Sequence, residues 1–420
     1  MSLKEKLSHH KSIIESFFSL SILNGLNVIL PLITLPYILR VVGAANYGVY
    51  SYVYVIVQYL LILNTYGFDY SATKQIAQNR HNVDEVNKIY NTVIACRVLL
   101  LLGGVILFGI LSPFLLGTHT KYVMFLMGLG IVIGDTFNPV WLFQGMEKMR
   151  FLTIVNFISK SIFTILIFLL IREEDDFILI ILLNSSGFLL AGLISTIIAR
   201  KQFNIHFVRP KWSDMKIQYK EGLSIFGSTV GINLYRNANI FILNFFVSEA
   251  AVGVYAAAEK VIKGLQMITV PIAQALYPHL GYKFKTQPLG QNLCILWRVS
   301  KVYGSILVLE LIVTYLSASW LVEVICGAGF SDAVQIVKIM SFVILFGGLN
   351  YVFGMVGLVN LNRQKDFFLA VMISGAVSVM FLLSTISFLD IKSAALALVI
   401  SEVVLFILIM ISIKKLQNKS

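Results

Sequence analysis

Twelve stretches of this chain each carry about 20 or more mostly apolar residues, the length a helix needs to cross a bilayer's hydrocarbon. They fall at about 15–39, 47–68, 89–114, 122–143, 151–171, 177–199, 220–246, 252–279, 292–317, 333–360, 366–388 and 393–413. The expected class is an all-α integral membrane protein whose antiparallel neighbours are joined by short loops. Hydrophobic residues make up 58% of the chain and charged residues 13%, with a mean hydropathy of +0.84. A soluble domain of 420 residues with that balance would have too little polar surface to stay in solution.

The net charge of +12 is distributed as topology rather than as a nucleic-acid footprint. Of 33 Lys and Arg, 21 lie in the N-terminal tail, the even-numbered loops (counting Lys220 at the edge of span seven) and the C-terminal tail. Only four (Arg40, Lys121, Arg172 and Lys392) lie in odd-numbered loops. Basic residues collect on the cytoplasmic side of membrane proteins, so both termini are expected in the cytoplasm. No nucleic-acid partner is expected. No removable signal peptide is read at the polar N-terminal segment, and Cys96, Cys294 and Cys326 form no disulfide or metal pattern.

The remaining eight cations are Arg97, Lys160, Arg236, Lys260, Lys263, Arg298, Lys301 and Lys338, all inside the spans. Carboxylates at comparable depth number four: Asp135, Glu259, Glu310 and Glu402. A charge at bilayer depth costs several kcal/mol unless it faces a partner or a watery cavity, so these residues are functional candidates. The surplus is positive, which points to an anionic cargo.

The two halves read as copies. Gly48-Val49-Tyr50 opens span two and Gly253-Val254-Tyr255 opens span eight, each after an alanine pair (Ala44-Ala45 and Ala250-Ala251). Arg97-Val98 with Gly103 is matched by Arg298-Val299 with Gly304. Six spans per half give copies of one orientation, related by a pseudo-twofold axis along the membrane normal. The expected organisation is a six-helix lobe at 1–199, a cytoplasmic linker at 200–219 and a second six-helix lobe at 220–420.

Span one carries Pro31 and Pro36, with Asn24 and Asn27 upstream. Proline removes a backbone donor, giving either a gate or a static kink. Asp135 in span four is either an ion-coupling group or a hydrogen-bonded structural carboxylate. Thr229, Asn233, Arg236 and Asn237 share one helical face, as do Tyr255, Glu259, Lys263 and Gln266 with Lys260 beside them. These faces are expected to line a cavity, although Glu259 and Lys263 also fit an i,i+4 ion pair. Arg298, Lys301 and Lys338 lie near span ends, where snorkelling is the competing reading. No nucleotide-binding, metal or hydrolase motif is present in the sequence, and no cofactor is expected.

Three stretches carry a family likeness. The first runs Pro31-Leu32, Thr34, Pro36-Tyr37, Arg40, Gly43, Gly48 and Tyr50, continuing through Tyr66-Gly67-Phe68, Ser71-Ala72-Thr73 and Ile76-Ala77 to Arg80. The second is Pro139, Trp141, Phe143-Gln144-Gly145 and Glu147. The third is Gly253-Val254-Tyr255, Ala257-Ala258-Glu259-Lys260, Pro271, Gln274-Ala275 and Tyr277-Pro278. Together they resemble the Wzx-type O-antigen and polysaccharide-unit flippases, in the superfamily that also holds multidrug and toxic-compound extrusion antiporters and lipid II flippases.

The resemblance implies a V-shaped, two-lobed bundle in a bacterial inner membrane. It would move an undecaprenyl-pyrophosphate-linked oligosaccharide from the cytoplasmic to the periplasmic leaflet by alternating access. Lys and Arg are the side chains that bind a pyrophosphate. The substrate-binding set read here is Arg236, Lys260, Lys263, Arg97, Arg298 and Lys160, with Asp135 and Glu310 coupling a proton or sodium ion and Pro31 and Pro36 gating. Membrane lipids and a polysaccharide polymerase are the expected neighbours. The competing readings are an exporter of another anionic lipid-linked precursor, of teichoic or capsule type, and a membrane polymerase or ligase. The short outward loops disfavour the enzyme.

Overall fold

In the computed structural model, backbone is described for residues 3–417; within that range side chains are described except at 3–29, 32, 224–225, 228–236, 278–279 and 285–286. Asn24, Asn27, Thr229, Asn233 and Arg236 therefore fall outside the described side chains. The described residues form helices and turns with no strand among them. In chain order the helices are α1 (Leu3–Thr65), α2 (Phe68–Asn79), α3 (Val83–Leu115), α4 (His119–Thr136), α5 (Val140–Gly145) and α6 (Met149–Leu170). They continue with α7 (Phe177–Phe203), α8 (Trp212–Phe246), α9 (Glu249–Thr286) and α10 (Leu289–Ile325). Last come α11 (Ala333–Asn350), a π-helical run (Tyr351–Val359), α12 (Gln364–Leu389) and α13 (Ile391–Gln417).

Nine of the described helical segments are long and apolar enough to cross a membrane. The first two expected spans both lie in α1, as two helices joined across a kink. Its non-helical backbone falls at Gly43 (φ 73°, ψ 175°), while the helix runs on through Pro31 and Pro36. A left-handed φ is open to glycine because it has no Cβ to clash. At 35 and 38 residues, α8 and α9 are long enough to span. Among the described residues of α8, Asn237–Phe246 is a short apolar helix.

The helix ends are closed locally. Asn82 accepts from the Glu85 amide at 3.2 Å, Thr118 from Lys121 at 3.4 Å and Ser248 from Ala251 at 3.3 Å, starting α3, α4 and α9. Each satisfies an amide that the first turn leaves without a partner. Distant tyrosines serve two C-terminal ends. Tyr52 donates to Leu115 O and Tyr37 to Ile171 O, both at 2.6 Å. Arg200 and Lys201 end α7, and Lys414 and Lys415 end α13, where cations meet the negative end of the helix dipole.

The chain divides into two compact units, one of residues 1–42 and 52–233, the other of 43–51 and 234–420. In the first, α4 packs on α7, α6 on α7 and α2 on α5. Phe68, Ile76, Val93, Trp141 and Leu142 form its fully buried centre. The start of α8 belongs to this unit. Gln218 donates to Gln75 at 2.6 Å, Tyr219 to Cys96 O at 3.0 Å, and the Phe226 ring stacks on Tyr66 at 4.4 Å. In the second unit α11 packs against α9, α10 and α13, and α12 lies on α13.

Candidate functional site

The first unit holds a buried polar cluster drawn from four helices. Arg97 of α3 is 1% exposed and forms an ion pair with Asp135 of α4. Its Nε donates to Asn64 Oδ1 at 3.2 Å, and Asn64 returns a 2.7 Å bond from Nδ2 to Arg97 O. The Thr136 hydroxyl donates to the same Asn64 oxygen at 3.0 Å. Asp69 of α2 lies within electrostatic range of both Arg97 and Asp135. Burying a guanidinium is tolerable only when its charge and its donors are matched, and this arrangement does both.

Two residues read from sequence into different roles, a substrate-binding Arg97 and an ion-coupling Asp135, are thus partners. Asp69 was missed because it sits one residue past the expected end of span two, where it reads as a loop carboxylate. Asn64 was missed because one Asn in an apolar run gives no local sign of its partner.

In the second unit, Lys263 pairs with Glu259 at 3.0 Å across one turn of α9, with Glu259 buried and Lys263 half exposed. Lys260, beside them, is exposed. Tyr255 is fully buried on the same helix and accepts from Asn239 at 2.8 Å. Glu310 of α10 lies next to Thr269, and its two carboxylate oxygens are buried without a hydrogen bond of ordinary geometry. Asp135 and Glu310 belong to different units and form no shared cluster within either. Arg298 is exposed on α10, and Lys160 is half-buried on α6. Pro31 is exposed and Pro36 half-buried in α1.

The stretches that carried the family likeness are largely packing elements. Thr73 donates to Gln144 at 3.2 Å, Arg80 pairs with Glu147 at 2.8 Å, and Trp141 is fully buried. These contacts fasten α2 to α5. No group of three His, Cys, Asp or Glu side chains able to hold a metal occurs among the described residues.

This is a multi-pass helical membrane protein with charges paired between and along its helices. Its fold is that of a multidrug resistance MATE family transporter of the MOP superfamily, solved in an inward-facing conformation. The TM-score is 0.75 at 12% identity, over 93% of this chain and 96% of that one. A second MATE structure, in a bent conformation, matches with a TM-score of 0.62 and 12% identity over 98% and 96% of the two chains. The family model described as "Polysaccharide biosynthesis protein" matches residues 13–282, and the chain belongs to that family.

A protein of Escherichia coli K12 named "Putative O-antigen transporter" is 27% identical over 401 residues, 94% of each chain. One of the same name from Shigella dysenteriae is 26% identical over 282 residues, 64% of this chain and 68% of its own. The kinship with Wzx-type flippases read from the sequence therefore stands, and the protein is a transporter rather than an enzyme.

Proposed function

We propose that this protein flips an undecaprenyl-pyrophosphate-linked oligosaccharide, an O-antigen or related repeat unit, from the cytoplasmic to the periplasmic leaflet of a bacterial inner membrane. Twelve spans in two six-helix lobes alternate access to a central path, with both termini in the cytoplasm. The observation that carries the reading is the cationic face of α9, where exposed Lys260 lies beside half-exposed Lys263. Only one of the two is matched by the Glu259 carboxylate. A net positive charge on a membrane helix attracts an anionic headgroup such as a pyrophosphate. Arg236, Arg97, Arg298 and Lys160 complete the proposed substrate set.

Repeated movement of a bulky anion in one direction needs a driving force, and the sequence holds no nucleotide-binding motif. Ion antiport supplies that force, with Asp135 and Glu310 as the coupling carboxylates and Pro31 and Pro36 as gates. A polysaccharide polymerase receives the flipped unit. The test is a deletion strain analysed by mass spectrometry of its lipid-linked oligosaccharides. The expected result is one undecaprenyl-pyrophosphate-linked species accumulating on the cytoplasmic side, cleared by wild-type protein and by Lys260→Arg but poorly by Lys260→Ala. Accumulation of a teichoic or capsule precursor would move the assignment to that substrate, and no accumulation would remove it.

A further inference from the structure

The connection between α7 and α8 is irregular in backbone yet held in place. Asn87 of α3 donates from Nδ2 to Asn204 O at 3.3 Å and accepts from the His206 amide at 2.7 Å. One turn on, Asn91 donates to His206 O at 2.9 Å. Ile205 and Met215 are buried in the core of the first unit, and Lys88 pairs with Asp214 at 3.3 Å. These contacts fix which side chains of the connection are left outside.

What is left outside is aromatic and cationic. Phe207 is 80% exposed, and Trp212, the first residue of α8, is 57% exposed. Trp212, Lys216 and Lys220 follow at four-residue spacing along one exposed helical stripe, with Ile217 exposed beside them. Lys216 Nζ lies 6.0 Å from the centre of the Trp212 ring. Residues 200–220 hold six cations (Arg200, Lys201, Arg209, Lys211, Lys216 and Lys220), all exposed, against one carboxylate, Asp214. That carboxylate already faces Lys88.

An aromatic ring held out in water is unfavourable, and exposed apolar groups rimmed by polar ones mark interaction sites. Trp and Phe among Lys and Arg settle at the boundary between headgroups and hydrocarbon. The connection follows directly on α7, a helix long and apolar enough to span, so it lies where that boundary falls.

We infer that residues 200–220 dock on the surrounding bilayer and bind the headgroups of anionic phospholipids such as phosphatidylglycerol. Phe207 and Trp212 enter the interface, and the flanking cations meet the lipid phosphates. Cations spread along a connection suit a layer of headgroups, whereas a single pyrophosphate would need them converged on one point. The choice of the cytoplasmic leaflet rests on the topology proposed above; the lipid contact does not.

The test reads Trp212 fluorescence in the full-length protein, reconstituted into vesicles of phosphatidylcholine and phosphatidylglycerol in equal proportion. One lipid or the other is brominated on its acyl chains, and the Trp212 signal is the difference from Trp212→Phe. Brominated phosphatidylglycerol is expected to quench it more strongly than brominated phosphatidylcholine. Each cation at an anionic surface contributes about a fivefold preference, so Arg209→Gln with Lys211→Gln should bring the two lipids close to equal quenching. Lys365→Gln, at an exposed site outside the connection, should leave the preference intact. High salt should shrink it in wild type, which keeps the test decisive if the double variant fails to fold. Equal quenching by the two lipids in wild type, no quenching by either, or a preference that survives high salt and the double variant would overturn the inference. Both leaflets of the vesicle hold the same mixture, so an inverted topology would leave the quenching unchanged and remove only the choice of leaflet.

Discussion

Gly48 and Gly253 face each other across a reciprocal helix crossing. A Cβ on Gly48 would meet Glu249 O at 1.9 Å, and one on Gly253 would meet Ala44 O at 1.8 Å. Each glycine thus rests on the carbonyl of the residue four positions before the other, as in a self-complementary twofold contact. The same two glycines begin the Gly-Val-Tyr triplets from which an internal repeat was expected. Contacts this close require small residues, a common device between membrane helices. Gly48→Ala and Gly253→Ala are each expected to force backbone apart and cost about 1–3 kcal/mol or more. Fluorescence-detected size-exclusion after graded heating should show both melting earlier than wild type. Wild-type melting of either variant would mean the crossing yields easily.

The Arg97–Asp135 pair makes a different prediction. Removing one member of a buried pair leaves the other charge unmatched, at a cost of about 3–5 kcal/mol. Asp135→Asn and Arg97→Met should therefore each lower the yield of folded protein. The double variant should recover much of it, because two neutral side chains leave no stranded charge. If the double variant folds normally yet exports nothing, the pair contributes to transport as well as to folding.

On the cationic face, abundance and activity should separate. A charge-assisted hydrogen bond to a phosphate contributes about 1.5–3 kcal/mol, so losing one should weaken substrate binding roughly tenfold or more. Arg236→Ala and Lys260→Ala should reduce surface polysaccharide at normal protein abundance, with Lys260→Arg largely active. Normal export by both variants and by their combination would exclude this face as the binding surface.

Ion coupling can be tested at Glu310, whose carboxylate oxygens are buried without ordinary hydrogen bonds. Glu310→Gln should flatten the dependence of export on external pH or sodium while leaving the protein folded. An unaltered dependence, also in combination with Asp135→Asn, would make both carboxylates structural.

Topology follows from the 21-to-4 division of basic residues between the two sets of loops. A membrane-impermeant thiol reagent applied to cells with a permeabilised outer membrane should label Asp175→Cys and spare Asn418→Cys. The reverse pattern would invert the protein in the membrane.

The class of this protein was legible residue by residue. Bilayer thickness fixes how long an apolar run must be, so spanning helices are visible without knowledge of any neighbour. The triplets at Gly48 and Gly253 were visible in the sequence before their close contact was known. The α9 pair was legible too, because Glu259 and Lys263 meet across a single helical turn.

What only the tertiary structure decided were the contacts between distant segments. The backbone break in α1 falls at Gly43 because a left-handed residue turns the chain there, whereas the helix continues through the more conspicuous Pro31 and Pro36. Arg97 finds Asp135 on another helix, and Asn350 finds Glu402 across the packed pair α11 and α13. An apolar run fixes the depth of a polar side chain in the membrane but not the neighbour it faces. That choice is made when helices pack, and it separates a free charge from a paired one.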